Sequence, residues 1–85
     1  ANALVVLRQG TPLVWFDRRS HHLVTFPGAA VDPAWAGALA ELVANGRERA
    51  VEVRKVDGGG VTDTIADALR SAGFVDGYRG LVVRS

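Results

Sequence analysis

The first 26 residues contain three short apolar segments, and five residues with turn-forming or polar character separate each segment from the next. The segments are residues 3–7 (ALVVL), 13–16 (LVWF) and 22–26 (HLVTF), which are rich in the β-branched and aromatic residues that favour strands. Such close spacing across turn residues indicates antiparallel hairpins, so the chain should begin with a three-stranded meander. Because the first two segments are apolar at every position, we expect both of these strands to be buried on both faces.

A helix is predicted after this meander. Asp32 and Pro33 mark its start, because Asp caps free backbone N–H groups and Pro is tolerated at the first helical position. Gly46 marks its end. Gly37 is unfavourable in a helix interior, so we expect it to mark close packing against a neighbour. The predicted buried stripe consists of Trp35, Leu39, Leu42 and Val43.

The remainder of the chain predicts a strand, a second helix and a last strand. Residues 50–56 (AVEVRKV) alternate between apolar and charged side chains, as in a strand with one solvated face that ends or bulges near Lys55. Residues 57–60 (DGGG) predict a flexible loop. The second helix should run from about residue 62 to 72, with Gly73 as its cap and Phe74 folded back onto it. Residues 79–84 predict the final strand, after a turn at 76–77.

The predicted order, β-β-β-α-β-α-β, indicates an α+β domain with one mostly antiparallel sheet and two helices on one face. A length of 85 residues fits a single domain, spanning residues 1–85. The absence of cysteine excludes disulfides and thiolate metal sites and favours a reducing compartment, here the cytoplasm. No apolar run reaches the roughly 20 residues of a membrane span. A net charge of +1 does not predict tight nonspecific binding to nucleic acid.

Three sets of residues are candidates for chemistry, and each has a simpler structural explanation. His21 and His22 could bind a metal or ligand, but neighbouring residues of a strand point to opposite faces. The glycines of residues 58–60 precede a helix, as in phosphate-binding loops, but acidic residues flank them and no Lys-Ser or Lys-Thr pair follows. Asp63 and Asp67 lie one helical turn apart, where a solvated helix face explains them. No Ser-His-Asp arrangement can be assembled, so no catalytic residue is predicted.

A fourth cluster, Arg18, Arg19 and His22, is the candidate nucleic-acid interface. Arg binds phosphate, and the nearby Trp15 and Phe16 could stack on bases. Because both aromatic residues lie in a predicted strand, at least one of them should instead be buried in the core.

The order of these segments resembles the extreme C-terminus of the Lhr (large helicase-related) family of ATP-dependent helicases. The family has an apolar strand ending near a Gly, an apolar-aromatic strand, an Arg-containing turn, a Leu-Leu-Thr-Phe strand, a strand ending in Asp-Gly and a closing Arg-Gly-Leu strand. The corresponding segments here are residues 3–7 with Gly10, 13–16, 18–20, 23–26, 51–58 and 79–84, with the most specific similarity in residues 65–74 (IADALRSAGF). The family usually has Gly-Gly after the Arg of the hairpin turn, where this chain has Ser20 and His21.

The resemblance implies a parent protein that binds ATP and Mg²⁺, moves along nucleic acid and unwinds duplexes in DNA repair. None of the ATPase motifs lies within these residues, so the chain should bind no cofactor and catalyse no reaction itself. The abrupt apolar start at residue 3 also favours a fragment of a longer chain. We therefore expect a C-terminal accessory domain that docks on the preceding domains or self-associates. The alternatives are a stand-alone module that binds single-stranded DNA or RNA, and a small ligand-binding or enzymatic domain that uses His21 and His22.

Overall fold

The computed structural model describes residues 3–84 and confirms the α+β class. Within this range the chain forms seven strands, two α-helices and one short 3-10 helix. The strands are β1 (Ala3–Arg8), β2 (Thr11–Asp17), β3 (His22–Thr25), β4 (Ala50–Val53), β5 (Lys55–Val56), β6 (Val75–Asp76) and β7 (Leu81–Arg84). The helices are α1 (Ala34–Ala44) and α2 (Asp63–Ser71), and the 3-10 helix is Pro27–Ala30.

The strands form two sheets instead of the one expected. One sheet has the order β1-β2-β3-β5 and the other has the order β4-β7-β6. All strand pairs are antiparallel except β3 with β5. The predicted strand over residues 50–56 breaks at Arg54, where the chain leaves one sheet and enters the other. The backbone N–H groups of Arg54 and Lys55 both donate to the carbonyl oxygen of His21, at 2.9 and 3.2 Å.

The prediction that β1 is buried on both faces is wrong. Val5 and Leu7 are 51% and 58% exposed, whereas Leu4 and Val6, on the other face, are partly buried and pack against the core. Within residues 3–84, β1 pairs with β2 alone and lies at the edge of its sheet. Val5 and Leu7 lie on the face of the strand that is open to solvent, so an apolar run does not by itself indicate two buried faces.

Positive backbone angles shape two tight turns. Gln9 and Gly10 have φ angles of 52° and 82°, as in the type I′ turn that suits a two-residue hairpin. Asp57 and Gly58 have φ angles of 51° and 84°, and Val56 and Gly59 exchange two backbone hydrogen bonds of 3.0 Å across them. The segment predicted to be a flexible loop is therefore the tip of a second tight turn.

Both helices begin and end close to the predicted residues. The carboxylate of Asp32 accepts a hydrogen bond from the N–H of Ala34 at 3.1 Å, and Gly46 follows α1 with a φ of 83°. The hydroxyl of Thr62 accepts from the N–H of Ile65 at the start of α2. Phe74 is buried and its N–H donates to the Leu69 carbonyl, so the chain folds back over α2 as expected.

One hydrophobic core joins both helices to the two sheets. Helix α1 packs against β1, β4 and β7, and α2 packs against β6, β7 and α1. The largest fully buried side chains are Trp35, Phe16, Leu23, Leu39 and Leu69. Within the described part of the chain, no helix is long and apolar enough to cross a membrane.

Candidate docking groove and candidate nucleic-acid interface

A groove of about 890 Å³ separates the 3-10 helix and the start of α1 from the connection between β5 and α2. We call it the docking groove. Its walls are mainly apolar, with Phe26, Pro27 and Trp35 on one side and Ile65 and Ala68 of α2 on the other. Thr25, Thr62 and Thr64 supply hydroxyl groups, and among residues 3–84 Asp57 is the only charged residue in the lining. The volume lies within the range of roughly 300–1,000 Å³ that is typical of ligand sites.

Hydrogen bonds fix the wall that Phe26 and Trp35 form. Trp35 is almost fully buried, and its ring N–H donates to the carbonyl oxygen of Ala29 at 3.3 Å, which holds the 3-10 helix against α1. The backbone N–H of Phe26 donates to the carbonyl oxygen of Leu13 at 3.0 Å, which ties the same segment to β2. The wall is thus anchored to both a strand and a helix before any partner binds.

Asp57 holds the other wall to the sheet. Its carboxylate accepts hydrogen bonds from the backbone N–H and the hydroxyl of Thr25, at 2.8 and 2.6 Å. Its own N–H donates to the carbonyl oxygen of Leu23 at 2.9 Å. Since no lysine, arginine or histidine of the described part of the chain lines the groove, this carboxylate gives that lining a net negative charge. The groove therefore suits a partner with apolar side chains and a hydrogen-bond donor or cation.

The three predicted nucleic-acid contacts lie at the same end of the β2–β3 hairpin, where His22 pairs with Asp17, but their side chains have different partners. Arg18 and Arg19 lie in the turn after β2, where a guanidinium nitrogen of Arg18 is 2.8 Å from the Glu48 carboxylate and Arg19 is exposed. His22 contacts the turn after β5, because its Nε2 accepts a hydrogen bond from the N–H of Gly58 at 2.8 Å. Of the two aromatic residues, Phe16 is buried and Trp15 is partly exposed.

Further arginines surround Arg18 and Arg19. The Arg18–Glu48 ion pair brings the connection after α1 to the turn after β2, so the exposed Arg47 and Arg49 lie beside that turn. Arg84 is opposite Ala50 in the pairing of β7 with β4, which places it next to the same connection. We call this set the basic end; it consists of Arg18, Arg19, Arg47, Arg49 and Arg84. Sequence reasoning missed the last three, because contacts between distant segments assemble the set: Arg18 with Glu48, and Ala50 with Arg84.

Asp17 organises the turn that carries Arg18 and Arg19. Its carboxylate accepts hydrogen bonds from the backbone N–H groups of Arg19 and Ser20, at 2.9 and 3.4 Å. The bond from Arg19 is the main reason why the pKa of the Asp17 carboxyl lies below its ordinary value. Hydrogen bonds to the ionised carboxylate therefore stabilise this turn.

The two histidines are used separately in the fold. Nδ1 of His21 lies 3.2 Å from the carbonyl oxygen of Glu52, which can only accept, so this nitrogen carries the proton in that contact. Nε2 of His22 is an acceptor and carries none. Neither ring lines the docking groove. Among residues 3–84, no three His, Asp or Glu side chains are grouped closely enough to hold a metal ion.

The acidic pair on α2 lies on a solvated face, as predicted. Asp63 and Asp67 are both exposed, and the Asp67 carboxylate is 3.3 Å from the Arg70 guanidinium. Arg70 also lies 2.9 Å from Asp76, and the bond to Asp76 is the main reason why the pKa of Arg70 is raised. This arrangement connects α2 to β6.

Comparisons with family models, with curated proteins and with solved structures each found no match. The docking groove and the basic end are therefore the two features of the fold that indicate a function.

Proposed function

We propose that this chain is a non-catalytic accessory domain of an Lhr-type ATP-dependent helicase, and that it docks on a neighbouring domain through the docking groove. The observation that supports docking is the lining of the groove, which is mainly apolar and contains one charge. Covering apolar surface contributes roughly 25 cal/mol per Å² to association, so apolar side chains of a neighbouring domain would gain free energy by filling this groove. The helicase assignment rests on the order of the sequence segments described above, and with it we propose a cytoplasmic location.

The charge of Asp57 refines the chemistry of the partner. We expect the docking surface of the neighbouring domain to insert apolar side chains between Phe26 and Ile65 and to bring an arginine, lysine or N–H donor toward Asp57. ATP and Mg²⁺ belong to the helicase core in this proposal, and the residues described here contribute to nucleic-acid unwinding only by positioning that core.

The test measures binding between this domain and the remainder of its parent polypeptide as separate purified chains. Thr64→Glu adds bulk and a second negative charge to the groove at an exposed position of α2, where an acidic residue in the first turn is compatible with the helix. We expect it to weaken binding at least about tenfold, equivalent to 1.4 kcal/mol. Thr11→Glu, at an exposed position outside the groove, is the matched control and should bind as the unmodified chain does.

Three results would contradict parts of the proposal separately. Equal binding by the Thr64→Glu and Thr11→Glu variants would exclude the groove as the docking site. ATP hydrolysis by the purified 85-residue chain would contradict its non-catalytic role. A parent reading frame without helicase motifs would exclude the Lhr assignment while leaving the docking test intact.

A second candidate function, binding of single-stranded DNA or RNA, is favoured by the basic end. Arg19, Arg47, Arg49 and Arg84 are exposed there and could bind phosphates, and the partly exposed Trp15 lies on the strand leading into the same turn. Such binding should weaken as salt increases, because each phosphate contact releases condensed counterions.

Fluorescence anisotropy with a labelled oligonucleotide at low salt tests this second function. The double variant Arg47→Ala/Arg49→Ala should reduce affinity. It should also lower the slope of log affinity against log salt by the equivalent of about one or two phosphate contacts. Arg79→Ala is the control, since Arg79 precedes β7 whereas Arg84 lies at its far end. If the anisotropy of the oligonucleotide does not change when the unmodified chain is added to high micromolar concentration, this function is excluded.

A further inference from the structure

Strand β1 presents a free edge that is charged only at its last residue, Arg8, and that the docking groove does not use. Residues 3–7 carry no charge and no proline, and within residues 3–84 only β2 pairs with β1. Proteins usually protect a free edge with charges, proline, bulges or short length, because unpaired N–H and C=O groups bind other strands. The one bulge near β1 comes from an extra residue in β2, where Leu7 pairs with Pro12 after Val6 pairs with Val14. The edge of β1 itself is regular and open.

The outer face of β1 is apolar as well. Val5 and Leu7 are more than half exposed on this face, and Val5 pairs with the partly buried Trp15. On the inner face Leu4 and Val6 pack against the core. A strand added to this edge would therefore extend the backbone hydrogen bonds and also cover two apolar side chains.

The alternation of faces restricts how a second copy of β1 can pair with the first. A two-fold axis perpendicular to the sheet places the outer faces of both copies on the same side of the joined sheet. Two residues can therefore lie directly opposite each other only when both belong to the outer face or both to the inner face. An antiparallel register centred on Val6 satisfies this condition and places Val5 of each copy opposite Leu7 of the other. A register centred on Val5 would place Leu7 opposite Ala3, which covers less apolar surface.

Charge does not oppose this pairing. Arg8 is the only charged residue of β1, and its Nε lies 3.0 Å from the Asp32 carboxylate of its own chain. In the register centred on Val6, the Arg8 residues of the two copies are offset by four positions, or about 13 Å along the strands. This separation exceeds the Debye length of about 8 Å at physiological ionic strength, so their repulsion is screened.

We infer that β1 is a self-association edge, at which two copies of this chain pair in an antiparallel register centred on Val6. The pairing would join two four-stranded sheets into one sheet of eight strands with an isologous interface. This inference goes beyond the proposed docking role and depends on neither the groove nor the helicase assignment. Because one strand pair covers less surface than the roughly 1,200 Å² of a stable complex, the dimer should dissociate on dilution.

Cysteine pairs test the register, since the natural chain contains no cysteine. Directly opposite residues have Cα atoms about 4.5–5.5 Å apart, within the range for a disulfide, whereas diagonal residues are about 7–8 Å apart. An oxidised mixture of the Val5→Cys and Leu7→Cys chains should therefore form the mixed disulfide. Each variant alone should form several-fold less disulfide-linked dimer. The Val75→Cys chain, which replaces a similarly exposed valine on edge strand β6, should not cross-link.

Sedimentation velocity over a range of concentrations tests the association itself. Val5→Lys should weaken the dimer at least about tenfold, because each dimer loses two apolar pairs and gains two charges at its interface. Val75→Lys is the matched control and should leave the dimer unchanged. Neither lysine variant should alter binding at the docking groove, which separates this test from that of the proposed function.

Each remaining outcome would overturn the inference. A chain that stays monomeric at millimolar concentration excludes the self-association edge. A dimer that the Val5→Lys variant retains would use another surface. Preferential cross-linking of the Val5→Cys chain with itself, instead of with the Leu7→Cys chain, would exclude the register centred on Val6.

Discussion

Gly80 occupies a position where two backbone segments touch. A Cβ atom built on this residue would overlap the carbonyl oxygen of Val53, at the end of β4, and lie 3.1 Å from the Cα of Arg54. The carbonyl of Gly80 also accepts a hydrogen bond of 2.7 Å from the N–H of Gly77. Neither neighbour is the flexible end of a side chain, so only glycine fits without moving the break between the two sheets.

We expect Gly80→Ala to lower the free energy of unfolding by about 1–3 kcal/mol, the usual range for overpacking, or by more if the backbone cannot shift. Urea denaturation measures the change. Gly37→Ala is the matched control with the opposite sign, because a Cβ there meets no atom within 4 Å and the residue lies inside α1. It should raise the free energy of unfolding by about 0.5–1 kcal/mol. A lower free energy of unfolding would instead support the close packing that the sequence predicts at Gly37.

Asp17 should make part of the stability depend on pH. Hydrogen bonding to the ionised carboxylate lowers its folded-state pKa below the ordinary 3.8. A lowered folded pKa contributes stability above the unfolded pKa, and this contribution is lost as pH falls through the folded pKa. Asp17→Asn should therefore reduce the urea midpoint at pH 7 and have little effect near pH 2. An equal effect at both pH values would mean that the charge of Asp17 does not stabilise the turn.

At the scale of elements, the N-terminus of α2 depends on one hydroxyl. Thr62→Ala removes the oxygen that accepts from the Ile65 N–H, and this hydrogen bond is long, at 3.4 Å. We expect a loss of about 0.5–1 kcal/mol, the lower part of the range for N-cap residues, measured by urea denaturation. Thr64→Ala, at an exposed position inside the same helix, should be neutral or slightly stabilising. Equal losses for both variants would show that Thr62 does not act as a cap.

Helices could be predicted better than strands because their limits are local. Asp32, Gly46 and Gly73 act on backbone groups within a few residues of themselves, so their effect can be read directly from the sequence. The second strand, β2, and the beginning of β3 were also predicted correctly. The exposure of β1 and the existence of β6 were not, because the first depends on what covers each face of the sheet and the second depends on pairing with β7. The 3-10 helix Pro27–Ala30 was not predicted either.

At the scale of the whole molecule, one core supports both sheets, so damage to it should unfold everything together. Leu39 is fully buried, whereas Leu42 is partly buried on the same helix. Leu39→Ala should cost about 2–5 kcal/mol, a large share of the 5–15 kcal/mol that is typical of a domain. Thermal unfolding followed by tryptophan fluorescence and by circular dichroism should give one shared transition at a lower temperature. Leu42→Ala should cost less, and two separate transitions would contradict a common core.

The candidate sites show why function was harder to predict than fold. Arg18 and Arg19 were identified from local sequence, but the basic end also needs Arg47 and Arg49, which a contact over 30 positions brings near. The docking groove has no sequence signature, because its walls come from the 3-10 helix, α1 and α2. His22 was predicted to contact nucleic acid, and its ring instead accepts a backbone hydrogen bond in the structure. That prediction stays untested by any binding measurement.

The parallel pairing of β3 with β5 has a consequence for the order of folding. The meander of β1, β2 and β3 needs only short loops to close, whereas Leu23 reaches Val56 only after α1 and the break at Arg54 are in place. Loop closure over such a separation costs entropy before any contact compensates for it. We therefore expect the meander to form early and the junction at Arg54 to form last. Amide exchange should then show the junction opening more often than the meander, with both sheets separating there first.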